Sequence, residues 1–169
     1  MDHAWLEERA LRYAADWKAS AAGVATLLER KILARCERTG ESPDLTLQMI
    51  PALVAQLIER GYVDDRRFAT GALERARRQG ASTARIRARL ASKGISESLV
   101  DELLAEEAPE IEIRSAWKLA RRRRLGPYCD DPAERRASRD RHLGVLSRQG
   151  FEHEIALQIV DADGLEFER

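Results

Sequence analysis

Aromatic residues are scarce in this chain of 169 residues, at 5%. With so few large rings, any core must be aliphatic, built from Leu, Ile, Val and Ala. Cysteine is scarcer still. Cys36 and Cys129 lie far apart and outside any metal-type spacing. A disulfide scaffold needs denser cysteine than this, so both are expected as free thiols in a reducing cytosol. No stretch approaches the roughly 18 apolar residues of a membrane span. The charged segment Met1–Arg12 lacks the apolar run of a secretory signal. A cytoplasmic protein without membrane contact is expected. Neither sign of charge dominates: 29 basic and 29 acidic residues give a formal net charge of zero, so total charge names no partner.

Catalytic groupings are missing as well. His3, His142 and His153 have no His or Cys partner at metal-binding spacing. There is no glycine-rich phosphate loop and no Gly-x-Ser-x-Gly elbow. His142, between Arg141 and Leu143, is expected at the surface rather than as a base. Asp64 and Asp65 could form a catalytic carboxylate couple. They follow Gly61-Tyr62-Val63, however, where an aspartate caps the next helix and favours its positive end; the capping role is preferred. A binding protein, not an enzyme, with no cofactor and no metal, is the expectation.

What the chain does have is charge and helical periodicity. Charged residues make up 34% and hydrophobic residues 44%. A compact domain of this length buries about 70% of its unfolded surface, and a row of small modules less. Pro43, Pro51, Pro109, Pro127 and Pro132 punctuate the sequence, and Gly40, Gly61, Gly80, Gly94, Gly126 and Gly150 mostly follow helical segments. No run of alternating β-branched residues predicts a strand. The predicted fold class is all-α.

The middle gives the clearest helices. Over 65–78, Phe68, Ala72, Leu73 and Ala76 share one face. Over 83–93, Ile86 and Leu90 point inward and Arg85, Arg87 and Arg89 mostly outward, with Gly94 as the stop. Ser96 is placed to cap the next helix. Ile95 and Val100 have the spacing of a hydrophobic staple, and the helix runs on through Leu99, Leu103 and Leu104.

A second copy follows. The segment from Arg89 to Val100 aligns with that from Val145 to Ala156, each running from a helix end through Gly94 or Gly150 and Ile95 or Phe151 into a new helix. A degenerate copy lies upstream: a helix through Leu27, Leu28 and Ile32, a linker over 38–44, and a helix through Leu47, Ile50, Val54, Leu57 and Ile58 ending at Gly61. Gly94 and Gly150 stand 56 residues apart, longer than the common short solenoid repeats and long enough for three helices. The expected organisation is three tandem three-helix repeats, roughly 3–62, 63–107 and 109–162. Repeats this small lean on their neighbours. The competing arrangement is one irregular helical domain whose helix ends resemble each other by chance.

Charge is distributed in blocks. From Arg66 to Lys93 the bases Arg66, Arg67, Arg75, Arg77, Arg78, Arg85, Arg87, Arg89 and Lys93 face a single acid, Glu74. Residues 97–112 carry acids and no base, and from Arg114 to Arg148 the chain turns basic again, with Lys118, the run Arg121, Arg122, Arg123 and Arg124, then Arg135, Arg136, Arg139 and Arg141. Such blocks can be plain solvated helix faces, yet they create local fields of several kT even at zero net charge. The arginine fork suits carboxylate or phosphate, so nucleic-acid backbone and an acidic protein groove are both open as targets. No aromatic residue interleaves with the arginines of 75–93, which argues against stacking on single-stranded bases.

Gly61-Tyr62-Val63-Asp64-Asp65-Arg66-Arg67-Phe68-Ala69 closely resembles the signature of the RecX regulatory family: Gly, two apolar residues, Asp-Asp, two variable residues, an aromatic and a small residue. Ile86-Arg87-Ala88-Arg89-Leu90-Ala91-Ser92-Lys93-Gly94-Ile95 is similar to that family's second-repeat helix and turn. The resemblance extends over nearly the whole chain. It implies a curved, elongated array of three-helix units. It further implies a monomer that binds the RecA recombinase filament along its groove and restrains ATP hydrolysis, strand exchange and coprotease activity; some members also contact single- or double-stranded DNA. This chain departs from the family pattern at Arg38-Thr-Gly-Glu-Ser-Pro-Asp44, and at Arg121 to Arg124 followed by Leu125-Gly-Pro-Tyr-Cys-Asp-Asp-Pro132.

The residues expected to meet the partner, filament or DNA, are Arg75, Arg77, Arg78, Arg85, Arg87, Arg89 and Lys93, with Arg121 to Arg124 as a second patch. Gly61, Asp64, Asp65, Phe68, Gly94 and Gly150 are expected to be structural. Two alternatives remain at this stage: a DNA-binding helical module with no recombinase partner, and an adaptor that uses its helices to hold another protein.

Overall fold

A computed structural model describes residues 3–15 and 19–164. These residues are α-helical throughout, apart from turns and one 3-10 segment, with no strand among them. The chain forms two compact units, Met1–Gly71 with Leu90–Leu99, and Ala72–Arg89 with Val100–Arg169. The middle three-helix stretch therefore contributes residues to both.

The first unit contains α1 (His3–Ala15), α2 (Ala21–Thr39), α3 (Asp44–Gln48) and α4 (Ile50–Glu59). On α2, Val24, Leu28, Ile32 and Cys36 recur every four residues and are all buried. They meet Leu6, Ala10 and Ala14 of α1 and Ile50, Leu53, Val54 and Leu57 of α4 in one aliphatic cluster. A fully buried aliphatic side chain contributes roughly 1.5–3 kcal/mol, so this stripe, not helix propensity, holds α2 in place. α3 was not anticipated. The helix expected from Leu47 onward is broken because Pro51 occupies the first turn of α4, where the missing N–H is harmless but continuation from the preceding helix is not. Ile58, expected on the apolar face, is half exposed.

Helix α5 (Asp65–Arg78) has the predicted bounds, and α6 (Thr83–Ala91) stops two residues short of Lys93. The last turn tightens as Lys93 N–H donates to the Leu90 carbonyl and Gly94 N–H to that of Ala91, and Ile95 N–H reaches back to Leu90. α7 (Glu97–Ala105) follows, with Leu99 N–H pointing at the Ser96 hydroxyl at 3.4 Å.

In the second unit, α8 (Ile111–Arg123) leads through a 3-10 turn (Gly126–Tyr128) to α9 (Pro132–Ala137), α10 (Arg139–Arg148) and α11 (His153–Val160). Ala116, Trp117, Leu119 and Ala120 of α8 pack with Leu146, Phe151, Ala156, Ile159 and Val160. Trp117 meets Tyr128 edge-on, with ring centroids 6.0 Å apart. His142 corrects an expectation: it is buried, not at the surface. Its Nδ1 accepts from Gly126 N–H at 3.2 Å, which secures the 3-10 turn. Burial first, and then the nearby Arg141, pushes its pKa below the usual histidine value.

Candidate interaction surface

Two matching clasps position the basic residues. In the first, Ser20 caps α2 by accepting from Gly23 N–H at 3.1 Å while its hydroxyl donates to the Lys93 carbonyl at 2.6 Å. Ala21 N–H, the neighbouring free amide of α2, donates to Asp65 at 2.8 Å. In the second, Ser82 accepts from Arg85 N–H at 3.2 Å and donates to the Gln149 carbonyl at 2.6 Å. Here Thr83 N–H donates to Glu112 at 3.0 Å. Each clasp thus joins a serine cap, a carboxylate from the start of a later helix, and the carbonyl just before Gly94 or Gly150. A helix begins with free amides, and both clasps meet that need from distant sequence.

Asp64 and Asp65 divide two tasks. Asp64 accepts from Arg67 N–H at 3.0 Å and caps its own helix, as expected. Asp65 caps α2 instead, a role its local sequence does not reveal. Gly94 takes φ +73°, and a Cβ there would lie 2.2 Å from Ala22 Cβ. Gly150 is equivalent, with a Cβ falling 2.8 Å from Ser82 Oγ. Gly61 also has positive φ but open space around it. Phe68 is half-buried.

The basic block is sorted by its partners. Arg77, expected to meet the partner, is turned inward instead. It is 5% exposed, and every N–H of its guanidinium is used. Nε and Nη2 donate to Glu107, Nη1 to Glu112 at 2.6 Å and to the Ala81 carbonyl at 3.0 Å, and Nη2 also to Thr83 Oγ1 at 2.7 Å. Burial opposes the charge, but the hydrogen bonds to Glu107 and then Glu112 outweigh it and hold the pKa above the ordinary arginine value. The signal was present in sequence: Arg77 follows Leu73 by four residues and so shares its inward face.

The other arginines expected to meet the partner are exposed. Arg87 pairs with Asp101 at 2.5 Å, and Arg78 lies 3.8 Å from Glu74. Arg75, Arg121 and Arg124 face solvent, Arg124 with a left-handed backbone at the end of α8. Lys93 borders a cavity of about 470 Å³ in the first unit with Tyr13 and Arg30. The second unit brings Arg85, Arg89, Arg122 and Arg123 to the rim of one cleft of about 230 Å³. Arg85 Nη1 donates to the Gln149 side-chain oxygen, and Arg122 Nη1 to the Gln79 carbonyl at 2.6 Å. In sequence, 75–93 and 121–124 are separate patches; folding brings parts of both to one cleft. Among the described residues, no group of three or more His, Cys, Asp or Glu could hold a metal ion, and no helix is long and apolar enough to cross a membrane.

Residues 64–104, which include Asp65, Ser82 and Gly94, match the family profile described as RecX, second three-helix domain. A Myxococcus xanthus protein named regulatory protein RecX is 30% identical over 160 residues, covering 94% of this chain and 86% of its own length. Proteins of the same name from Mycolicibacterium vanbaalenii and Chromohalobacter salexigens are 32% and 30% identical over 118 and 124 residues. These alignments cover 66% and 73% of this chain, and 63% and 75% of the relatives.

Proposed function

This chain belongs to the RecX family of regulatory proteins, and from that premise we propose that it binds the RecA recombinase filament and restrains its ATPase, strand-exchange and coprotease activities. The observation that carries the reading is family membership over nearly the full chain, joined to Arg85 and Arg122, whose printed partners are the neutral oxygens of Gln149 and Gln79. Binding is electrostatic and steric. Helices seated on the filament block its rearrangement, while Arg85, Arg89, Arg122 and Arg123 meet acidic filament surface or DNA phosphates. Such charge accelerates association and fixes orientation more than it deepens affinity. Arg77 leaves the set of contact residues, because its guanidinium is consumed internally.

The organisation follows as part of the same proposal: three repeats, at roughly 3–62, 63–107 and 109–162. Its support is the recurrence of the clasp. Ser20 and Ser82 open the second helix of consecutive repeats, and each holds the turn before the last helix of the following one.

Adding the purified protein to RecA assembled on single-stranded DNA is expected to lower the rate of ATP hydrolysis. An unchanged rate at several-fold molar excess overturns the proposal.

A further inference from the structure

The cavity of about 470 Å³ in the first unit lies against the first clasp, where small residues meet. Ala22 and Gly23 of α2 and Gly94 of the turn after α6 form part of its lining. Gly94 approaches α2 so closely that a Cβ would fall 2.2 Å from Ala22 Cβ, and a Cβ on Gly23 would fall 3.9 Å from the Tyr13 hydroxyl. Segments that touch through such small residues leave a hollow among the longer side chains around them. Those are Tyr13, Leu27, Arg30 and Lys93, with Thr26 beside them. The volume falls within the roughly 300–1,000 Å³ of sites for small organic molecules.

The lining has two chemistries. Tyr13 and Leu27 supply an aromatic ring and an aliphatic chain, and Tyr13 is 40% exposed. Arg30 and Lys93 supply two positive charges at the surface. Among the described residues neither has a carboxylate partner, and none that lines the cavity is acidic. Cations beside an open ring select an anion with an apolar body. Phosphate is the poorer fit. A helix start grips phosphate through free amides, and those nearest the cavity are spent: Ala21 N–H donates to Asp65 at 2.8 Å, Gly23 N–H to Ser20 Oγ at 3.1 Å and Val24 N–H to the Ser20 carbonyl at 2.9 Å. The Asp65 carboxylate also repels a dense polyanion.

We propose that this cavity binds a small organic dicarboxylate, its apolar body against Tyr13 and Leu27 and its carboxylates on Arg30 and Lys93. The arginine fork takes one carboxylate along its planar edge, and the lysine ammonium takes the other as a point charge. The lining comes from α2 and from the turn that Ser20 holds through the Lys93 carbonyl. A bound molecule therefore bridges the two segments that the clasp joins, and it stabilises the folded chain as its concentration rises. The two carboxylates can belong to a free metabolite or to acidic side chains of a peptide; the contacts are the same. This assignment rests on the cavity alone and not on the recombinase reading.

The test uses the full chain and equilibrium dialysis. N-acetyl-Phe-Glu carries a ring and two carboxylates, N-acetyl-Phe-amide keeps the ring alone, and inorganic pyrophosphate keeps the charge alone. Arg30→Gln/Lys93→Gln removes the cations, and Thr26→Phe fills the cavity while keeping every charge. Arg60→Gln/Arg141→Gln is the control, removing two charges that already sit against Glu7 and Glu134. All of these positions are exposed, and thermal melts without ligand confirm that each variant folds. N-acetyl-Phe-Glu is expected to bind the parent and raise its Tm. Removing the cations or filling the cavity should weaken that binding about tenfold or more, and the control should change it less than about twofold. An amide-capped Gly-Phe-Glu-Glu-Gly peptide identifies the source: binding as tight as that of the free diacid points to a polypeptide segment, and preference for the free diacid points to a metabolite. Binding of neither carboxylate probe, binding that survives Thr26→Phe, equal loss in the control, or pyrophosphate or N-acetyl-Phe-amide binding as tightly as the diacid overturns the proposal.

Discussion

Ser82 Oγ donates to the Gln149 carbonyl at 2.6 Å, across 67 residues of sequence, while capping α6 through Arg85 N–H. One buried hydroxyl thus serves as helix cap and tertiary tie. Replacing it with alanine removes the cap, worth about 1 kcal/mol, and leaves a carbonyl without its partner, worth about 1 more. Ser82→Ala is expected to lower Tm by about 4–8 °C for a chain of this size, with Ser20→Ala similar. Calorimetry checks this; a shift below about 1 °C would show that water replaces the tie.

The glycines sort by the same logic. At Gly61 only the left-handed backbone opposes a side chain, so Gly61→Ala is expected to cost about 1–2 kcal/mol. At Gly94 a Cβ also collides with Ala22 at 2.2 Å, adding an overpacking penalty of about 1–3 kcal/mol. Ala22→Gly should recover the second part of the Gly94→Ala loss and none of the first. A double-mutant cycle from urea melts measures that coupling; additive losses would rule the collision out.

These features differ in how far the sequence reveals them. α5 and α6 were legible because their apolar residues recur at helical spacing and glycine or proline marks their limits. α3 was not, since five residues are too few to show a period. The glycine turns could be placed, yet the serines beneath them could not: Ser20 and Ser82 look like ordinary caps, and their second partners lie 73 and 67 residues away. Arg121 to Arg124 stood out as a run, but nothing local says that Arg122 and Arg123 border the same cleft as Arg85. His142 was misplaced because its neighbour Arg141 is charged, while its own side chain points inward to a backbone amide.

His142 gives a pH dependence of definite sign. Its folded pKa lies below the unfolded value of about 6.5, because burial penalises the imidazolium. The unfolded chain therefore binds the proton more readily, and stability rises with pH through this window. The contribution is complete above about pH 6.5 and is lost as pH falls toward and through the folded value, when a protonated Nδ1 would face Gly126 N–H donor to donor. His142→Asn keeps an acceptor for that amide but cannot titrate. Urea melts at pH 7, 6 and 5 are expected to show a steeper loss for the parent than for the variant; parallel slopes would remove His142 as the cause.

Arg77 separates folding from binding among residues that look alike in sequence. Its guanidinium answers Glu107 and Glu112 inside the protein, so Arg77→Ala leaves two largely buried carboxylates without a counter-charge, and breaking such a pair costs about 3–5 kcal/mol. Lysine should not rescue it, because an ammonium cannot span Glu107, Glu112, Thr83 and the Ala81 carbonyl as a planar fork does. Arg85→Gln, by contrast, loses only an exposed contact to Gln149 and should shift Tm by less than about 2 °C. Measured side by side, Arg77 variants are expected to melt early, whereas Arg85→Gln keeps its melt and shows weaker inhibition of the RecA ATPase. If Arg77→Ala melts like the parent and instead loses inhibition, the guanidinium belongs to the binding surface after all.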